Sequence, residues 1–214
     1  MHGCKQFLAP KHWDINQVMR DMTLGCSHKR SVLYYSNSVL IPDGFLGYRC
    51  NSYDSFLSGK CFPCPKETCP MMGHYADRFP GKTTEVHQVY YLNTEAFQPF
   101  ACWREYVSVK LSGTQKMWGN IYVALIGSNE HRRQYPVANG LFSPTSTYAK
   151  IIDVSIPGNI TAVEFQWKKD PAWKRTGLIG AQEVTILYGT NGHKSVFCGS
   201  QVVQPEVWQK LTLC

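Results

Sequence analysis

From residue 88 onward the chain alternates short apolar runs with turn signals, and this rhythm limits the possible folds more than any other feature. The runs are 89–92, 106–111, 121–126, 148–156, 162–167, 183–188, 194–197 and a last one near 207–213. Ser112-Gly113, Gly127-Ser128-Asn129, Pro157-Gly158-Asn159 and Asn191-Gly192 fall between them. Period-two alternation broken by such turns specifies strands half-buried on one face, and eight of them predict an antiparallel β-sandwich or barrel. In 162–167 the alternation places Val163, Phe165 and Trp167 on one face and Glu164 and Gln166 on the other.

Upstream the texture differs. Residues 31–40 carry Val32, Tyr35, Val39 and Leu40 at helical spacing, stopped by the turn Pro42-Asp43-Gly44. Residues 45–85 are rich in Cys, Pro, Gly and Tyr without sustained period, as expected of loops that need staples. Gly81-Lys82-Thr83-Thr84-Glu85 reads as a linker, which divides the chain into 1–85 and 88–214. Between Cys4 and Cys26, Trp13, Ile15, Val18, Met19 and Met22 are spaced for one apolar helical face. A Cys4–Cys26 bridge would close a loop worth ~3 kcal/mol in the chain-entropy model. The segment then reads either as a movable lid or as a surface helix.

The formal net charge of +7 favours anionic partners without choosing among them. No apolar run is long enough to span a bilayer as a helix. Met1-His2-Gly3-Cys4-Lys5 has no apolar stretch of the kind a signal peptide needs. Nine cysteines are a heavy load. Cys61-x2-Cys64-x4-Cys69-x4-His74 has the ligand types of a small zinc module, which a basic chain could use on nucleic acid. The competing assignment is disulfides, Cys50 with Cys61 and Cys64 with Cys69. Cys4, Cys26, Cys198 and Cys214 favour it, because they fit as local pairs and lack a second ligand set. On that assignment no metal and no nucleic acid is expected.

There is no Gly-x-Ser-x-Gly, no phosphate-binding Gly-rich loop and no His-Glu-x-x-His. His28, in Gly25-Cys26-Ser27-His28-Lys29-Arg30-Ser31, is the candidate catalytic group. A general base needs a nucleophile within hydrogen-bond reach, so His28 alone makes no catalytic set. In the loop 168–180, Trp173, Leu178 and Ile179 stand among Lys168, Lys169, Lys174 and Arg175. An aromatic group amid bases suits a lipid headgroup boundary. The plainer alternative is a strand connection with Leu178 and Ile179 in the core. Asn159-Ile160-Thr161 has the form of an N-glycosylation acceptor.

Cys26-Ser27-His28-Lys29-Arg30-Ser31, Cys61-Phe62-Pro63-Cys64 and the run from Cys69 to Asp77 closely resemble the pancreatic lipase family. The match continues through Pro42-Asp43-Gly44-Phe45, Asn51-Ser52-Tyr53, residues 78–83, Tyr91-Leu92-Asn93-Thr94, residues 107–113 and Leu211-Thr212-Leu213-Cys214. Residues 148–153 and 159–161 lean, within that family, toward the third pancreatic lipase-related protein.

The resemblance implies a mainly β chain: the C-terminal fragment of an α/β-hydrolase domain, then an eight-stranded antiparallel β-sandwich of the PLAT, or lipoxygenase-homology, type. It implies that His28 is the triad histidine and that residues 4–26 are the lid, with Trp13, Ile15, Val18 and Met19 on its lipid-facing side. It implies the pairs Cys4–Cys26, Cys50–Cys61, Cys64–Cys69 and Cys198–Cys214, with Cys102 left over where the family usually has arginine. Ser27 stands where asparagine is common. The nucleophile serine, the triad acid and the family's calcium site would lie upstream of Met1, and Met1-His2-Gly3-Cys4 matches an internal stretch of the family. The expectation is therefore a secreted triacylglycerol lipase or related carboxylic ester hydrolase whose present chain is inert alone and holds no cofactor. Its partners would be the lipid–water interface, an acylglycerol or phospholipid substrate, and colipase as a candidate protein. The alternative is a non-enzymatic lipid-interface or colipase-binding sandwich.

Overall fold

A computed structural model of the chain describes residues 26–64, 68–80 and 87–214. The lid segment with Trp13, Ile15, Val18 and Met19, the bridge from Cys4 to Cys26, and the linker at 81–85 lie outside the described residues. The chain divides into two compact units, Met1–Trp103 and Arg104–Cys214.

In the first unit, helix α1 spans Cys26–Leu40. Its buried stripe is Arg30, Tyr34 and Ser38, one residue every four. Tyr34 meets Phe100 edge-on at 5.5 Å and Phe45 at 6.3 Å, and its hydroxyl accepts from Thr94 Oγ1 at 3.1 Å. Arg30 Nη1 donates to Ala96 O at 2.6 Å while its guanidinium lies 5.1 Å from the Phe100 ring centre. Val32, Tyr35, Val39 and Leu40, which signal the helix in the sequence, are exposed. A 3₁₀ turn, Pro42–Gly44, ends the helix. A side chain on Gly44 would collide with Ala101, so glycine is required where this turn closes on the Tyr34–Phe45–Phe100–Trp103 core.

Strand β1 (Tyr48–Arg49) pairs antiparallel with β2 (Tyr90–Tyr91). The run 89–92, read as a sandwich strand, is thus paired within the first unit. Helix α2 (Tyr53–Leu57) starts at Ser52, whose Oγ accepts from Ser55 N at 3.1 Å as an N-cap. Disulfides Cys50–Cys61 and Cys64–Cys69, with Cα separations of 5.6 and 6.0 Å, staple the loops around Tyr48 and Phe56.

The remaining strands are β3 (Trp103–Gly113), β4 (Met117–Gly127), β5 (Arg132–Phe142), β6 (Thr147–Val154), β7 (Ile160–Lys169), β8 (Ile179–Tyr188), β9 (Lys194–Cys198) and β10 (Gln209–Leu213). They pair in the order β5-β4-β7-β10-β9-β8-β3-β6, an eight-stranded antiparallel sheet folded on itself. Strand β10 makes the fold: Gln209, Lys210 and Leu211 pair with β7, whereas Thr212 and Leu213 pair with β9. The buried Gln209 side chain reinforces this seam, accepting from Ala181 N at 2.8 Å and donating to Ala181 O at 2.9 Å. The disulfide Cys198–Cys214 ties β9 to the chain end.

Val163, Phe165 and Trp167 all point into the core, as the alternation predicts. Trp167 is fully enclosed and donates its indole N–H to Val203 O at 3.0 Å. Strand β5 has no counterpart in the sequence reading. Pro136 and Gly140 break its pattern, yet it lies at the end of the strand order, and Pro136 sits where the β4–β5 register shifts. A proline needs no ladder hydrogen bond at such a place.

Candidate functional site

His28 lies in the first turn of α1 with its side chain exposed. Its carbonyl accepts from Ser31 Oγ at 2.7 Å. Among the described residues its imidazole has no hydrogen-bond partner. Tyr35 is two turns further on and therefore on the same helix face. The Tyr35 hydroxyl reaches His74 Nδ1 at 3.1 Å, and the two rings meet edge-on at 6.0 Å. His74 is held by its backbone N–H, which donates to Ser38 Oγ at 3.0 Å. Gly73 makes this possible: its φ is +91°, and a Cβ there would run into Ser38.

The zinc alternative fails on these contacts. Cys61, Cys64 and Cys69 are all consumed in disulfides, and a thiol oxidised to a disulfide is no thiolate ligand. Cys102 is half-buried and lies outside the three described bridges; its backbone N–H donates to Gly44 O at 2.9 Å.

The loop after β7 brings a second constellation together. Trp173 is half-buried against the sandwich core. Its ring centre lies 6.4 Å from that of Trp118 at 33°, and Arg175 lies 5.8 Å from the Trp173 ring centre. Trp118, at 40% exposure, stands opposite Leu141, at 42%, in the β4–β5 register. Neither was found from the sequence, because nothing in either strand alone says that they meet. Of the three loop residues singled out there, Ile179 belongs to the core, being 2% exposed at the start of β8, and Leu178 is half-buried. Alternation with Ala181 turns Ile179 inward, so Trp173 is the apolar member that the loop itself presents.

The loop is fastened to the β3–β4 hairpin. Asp170 N donates to Trp118 O at 2.9 Å, Thr114 N to Leu178 O at 3.3 Å, and Gln115 Nε2 to Thr176 O. At the other end of the sandwich, where Gly127 pairs with Ile160, Asn159 is exposed in its turn. The register separates the two ends: Gly119, next to Trp118, pairs with Lys169.

One acid is buried without a sequence warning. Glu105 shares the inward face of β3 with Val107 and Val109 and is 4% exposed. Its Oε2 has no hydrogen-bond partner among the described residues. Burial pushes its carboxyl up to about 8. Tyr188 stands directly opposite on β8. Burial raises its hydroxyl too, the hydrogen bond from Ser195 Oγ at 3.3 Å lowers it, and the Glu105 charge raises it further.

Residues 1–100 match the family model described as Lipase. The whole chain is 44% identical to human "Pancreatic lipase-related protein 2", 38% to human "Pancreatic lipase-related protein 3" and 42% to pig "Pancreatic triacylglycerol lipase". Along its whole length the chain is thus similar to pancreatic lipase and its related proteins. It spans about half the length of the curated relatives it matches, 46% of the first of these. Of the two human related proteins, the higher identity is with protein 2, whereas residues 148–153 and 159–161 had leaned toward protein 3. Among solved structures, a "calcium-dependent 11R-lipoxygenase" aligns with a TM-score of 0.38 and 11% identity, over 52% of this chain and 17% of its own.

Proposed function

We propose that this chain is the C-terminal part of a secreted lipid ester hydrolase, with the first unit, up to Trp103, belonging to the hydrolase domain and the second, from Arg104, forming its PLAT-type sandwich. In the assembled enzyme His28 is the base and acid of the triad. Its imidazole takes the proton of the nucleophilic serine, then returns it to the leaving alcohol of an acylglycerol or phospholipid. The observation that carries this reading is the chain-long identity with lipases, in which the Cys-Ser-His motif sets an exposed histidine at the start of α1. No Gly-x-Ser-x-Gly occurs in these residues, so the nucleophile must come from elsewhere and the chain by itself is inert. We assign no cofactor to it.

Secretion is supported by three disulfides and by the exposed Asn159 sequon. The half-buried Trp173, with the Arg175 guanidinium 5.8 Å from its ring centre, supports a role for the sandwich in holding the enzyme on the lipid–water interface. The test of the catalytic reading is hydrolysis of tributyrin. The chain alone should give none. Joined to the N-terminal part of a relative it should turn over, and His28→Ala should abolish that turnover. Turnover that survives His28→Ala would sink the assignment.

A second reading, that the sandwich serves as a docking module for lipid or colipase, is favoured by its separate core and its own disulfide. Capture of colipase by the chain, with no gain of hydrolysis in the joined enzyme, would select it.

A further inference from the structure

We propose that the Arg175–Thr176 bond is a processing site: a trypsin-type protease opens it ahead of the other described lysine and arginine bonds, and residues 176–214 stay seated in the sandwich afterwards. This goes beyond the catalytic and docking readings and depends on neither.

A trypsin-type protease seats an arginine or lysine on the carboxylate of its specificity pocket, and holds the flanking chain extended through main-chain hydrogen bonds. A bond that it opens quickly therefore needs an exposed cation and free backbone groups beside it. Lys174, Arg175 and Thr176 are exposed, and residues 173–178 belong to no helix, strand or turn. Among the described residues the backbone N–H groups of 174–177 have no hydrogen-bond partner. Thr176 O accepts from the side chain of Gln115, which is exposed and free to swing away. The Arg175 guanidinium lies 5.8 Å from the Trp173 ring centre and makes no ion pair among the described residues. Residues 171–181 contain no acid, so nothing beside the bond repels the carboxylate of the pocket. Asp170 N to Trp118 O and Thr114 N to Leu178 O fasten the two ends, and 173–177 bridges between them.

The other described candidates are shielded. Besides Lys174 and Arg175, Lys60 and Lys116 are the described cations outside helices and strands. Lys116 is followed by Met117, which is 0% exposed and paired with Phe142 in the β4–β5 ladder. Lys60 N donates to Ser55 O at 3.0 Å, and the Cys50–Cys61 bridge closes the chain across it. Arg132 and Arg133 form a second basic pair, but both belong to β5, and Glu164 holds Arg132 at 2.8 Å. Cleavage within a strand waits for local opening, which slows it by about a hundredfold or more.

The same topology keeps the pieces together. Residues 176–214 supply β8, β9 and β10; β8 pairs with β3 and β10 with β7, so the piece is built into both halves of the sandwich. It places Ile179, Val184, Ile186, Phe197 and Leu211 in the core. Trp167 Nε1 and Gln166 Nε2 donate across the cut to Val203 O and Glu206 O. No described disulfide crosses it, because Cys198–Cys214 lies wholly within the piece. The cut therefore turns a one-chain unfolding into a dissociation.

The experiment is a time course of the whole chain, disulfides intact, with dilute trypsin, read by mass spectrometry, non-reducing gel and size exclusion. Pieces ending at Arg175 and beginning at Thr176 should appear first among cuts in the described residues. They should part on the gel and elute together in native buffer. Melting of the cut protein should fall on dilution, whereas that of the intact chain should not. Lys174→Gln alone and Arg175→Lys should leave the cut nearly as fast. Lys174→Gln together with Arg175→Gln should slow every cut within residues 104–214 by about tenfold or more. A faster cut at Lys60, at Lys116, after Lys174 or within a strand overturns the proposal, as does an unchanged rate in the double variant. An equal preference for this bond in the urea-unfolded chain would trace the selectivity to local sequence and overturn the structural assignment. Pieces that separate in native buffer would overturn the seating of 176–214.

Discussion

Replacing Glu105 by glutamine should stabilise the protein above neutral pH and leave it little changed in acid. The side chain is enclosed on the inner face of β3, opposite Tyr188, and its Oε2 has no hydrogen-bond partner among the described residues. In the fold its carboxyl titrates at about 8, against an ordinary value of 4.5. An acid raised in the fold makes the native state the tighter proton binder. The unfolded chain gives up that proton from about pH 4.5, while the folded chain keeps it until about pH 8. Stability from this group is therefore full below 4.5, falls between the two values, and is flat above the higher one. At ~1.4 kcal/mol per pH unit the whole fall is about 5 kcal/mol. Tyr188, its partner on β8, carries no positive charge that could hold the carboxylate. Glutamine keeps the shape and cannot ionise, so the variant lacks this fall. Urea unfolding with the disulfides intact, followed by tryptophan fluorescence near pH 5 and near pH 9, measures it. The two proteins should differ by less than about 1 kcal/mol at the lower pH and by several at the higher. Parallel stability profiles across that range would refute the reasoning.

Further outcomes follow from single contacts. Gln209→Ala removes both hydrogen bonds to Ala181 and leaves its buried N–H and C=O unpaired, which should cost about 2–4 kcal/mol in urea unfolding. Gly73→Ala sets a Cβ against Ser38 at a φ of +91° and should cost about 1–3 kcal/mol; thermal melting reads it, and a parallel loss of the Tyr35–His74 contact should appear in the His74 NMR signals. In a secretory host, Asn159 should carry a glycan removed by an N-glycosidase, and Asn159→Gln should abolish the mass shift without moving the melting temperature, because the side chain is exposed.

Periodicity and motif made much of this chain legible before any coordinates. The spacing of Val32, Tyr35 and Val39 marks α1, and the alternation around Val163, Phe165 and Trp167 marks a core strand. Local pattern reports local geometry, which is why these features survive folding unchanged. The disulfides of the loops, expected from the cysteine pattern and again from the resemblance, are present in the structure. The motif around His28 resembles that of lipases, and the fold sets this histidine, exposed, in the first turn of α1.

Other features belong to tertiary structure alone. The apolar face of α1 is turned outward, while Arg30, Tyr34 and Ser38 pack inward through hydrogen bonds and ring contacts to residues far along the chain. Strand β2 pairs with β1 because Tyr48 and Tyr91 meet, a pairing across more than forty residues that neither run encodes. Strand β5 forms despite Pro136 because it pairs with β4 where the register shifts. Trp118, Leu141 and Trp173 come together from three segments, and Glu105 is enclosed with a raised carboxyl. In each case the deciding quantity is which distant residues pairing brings together. A sequence specifies that only through the whole fold.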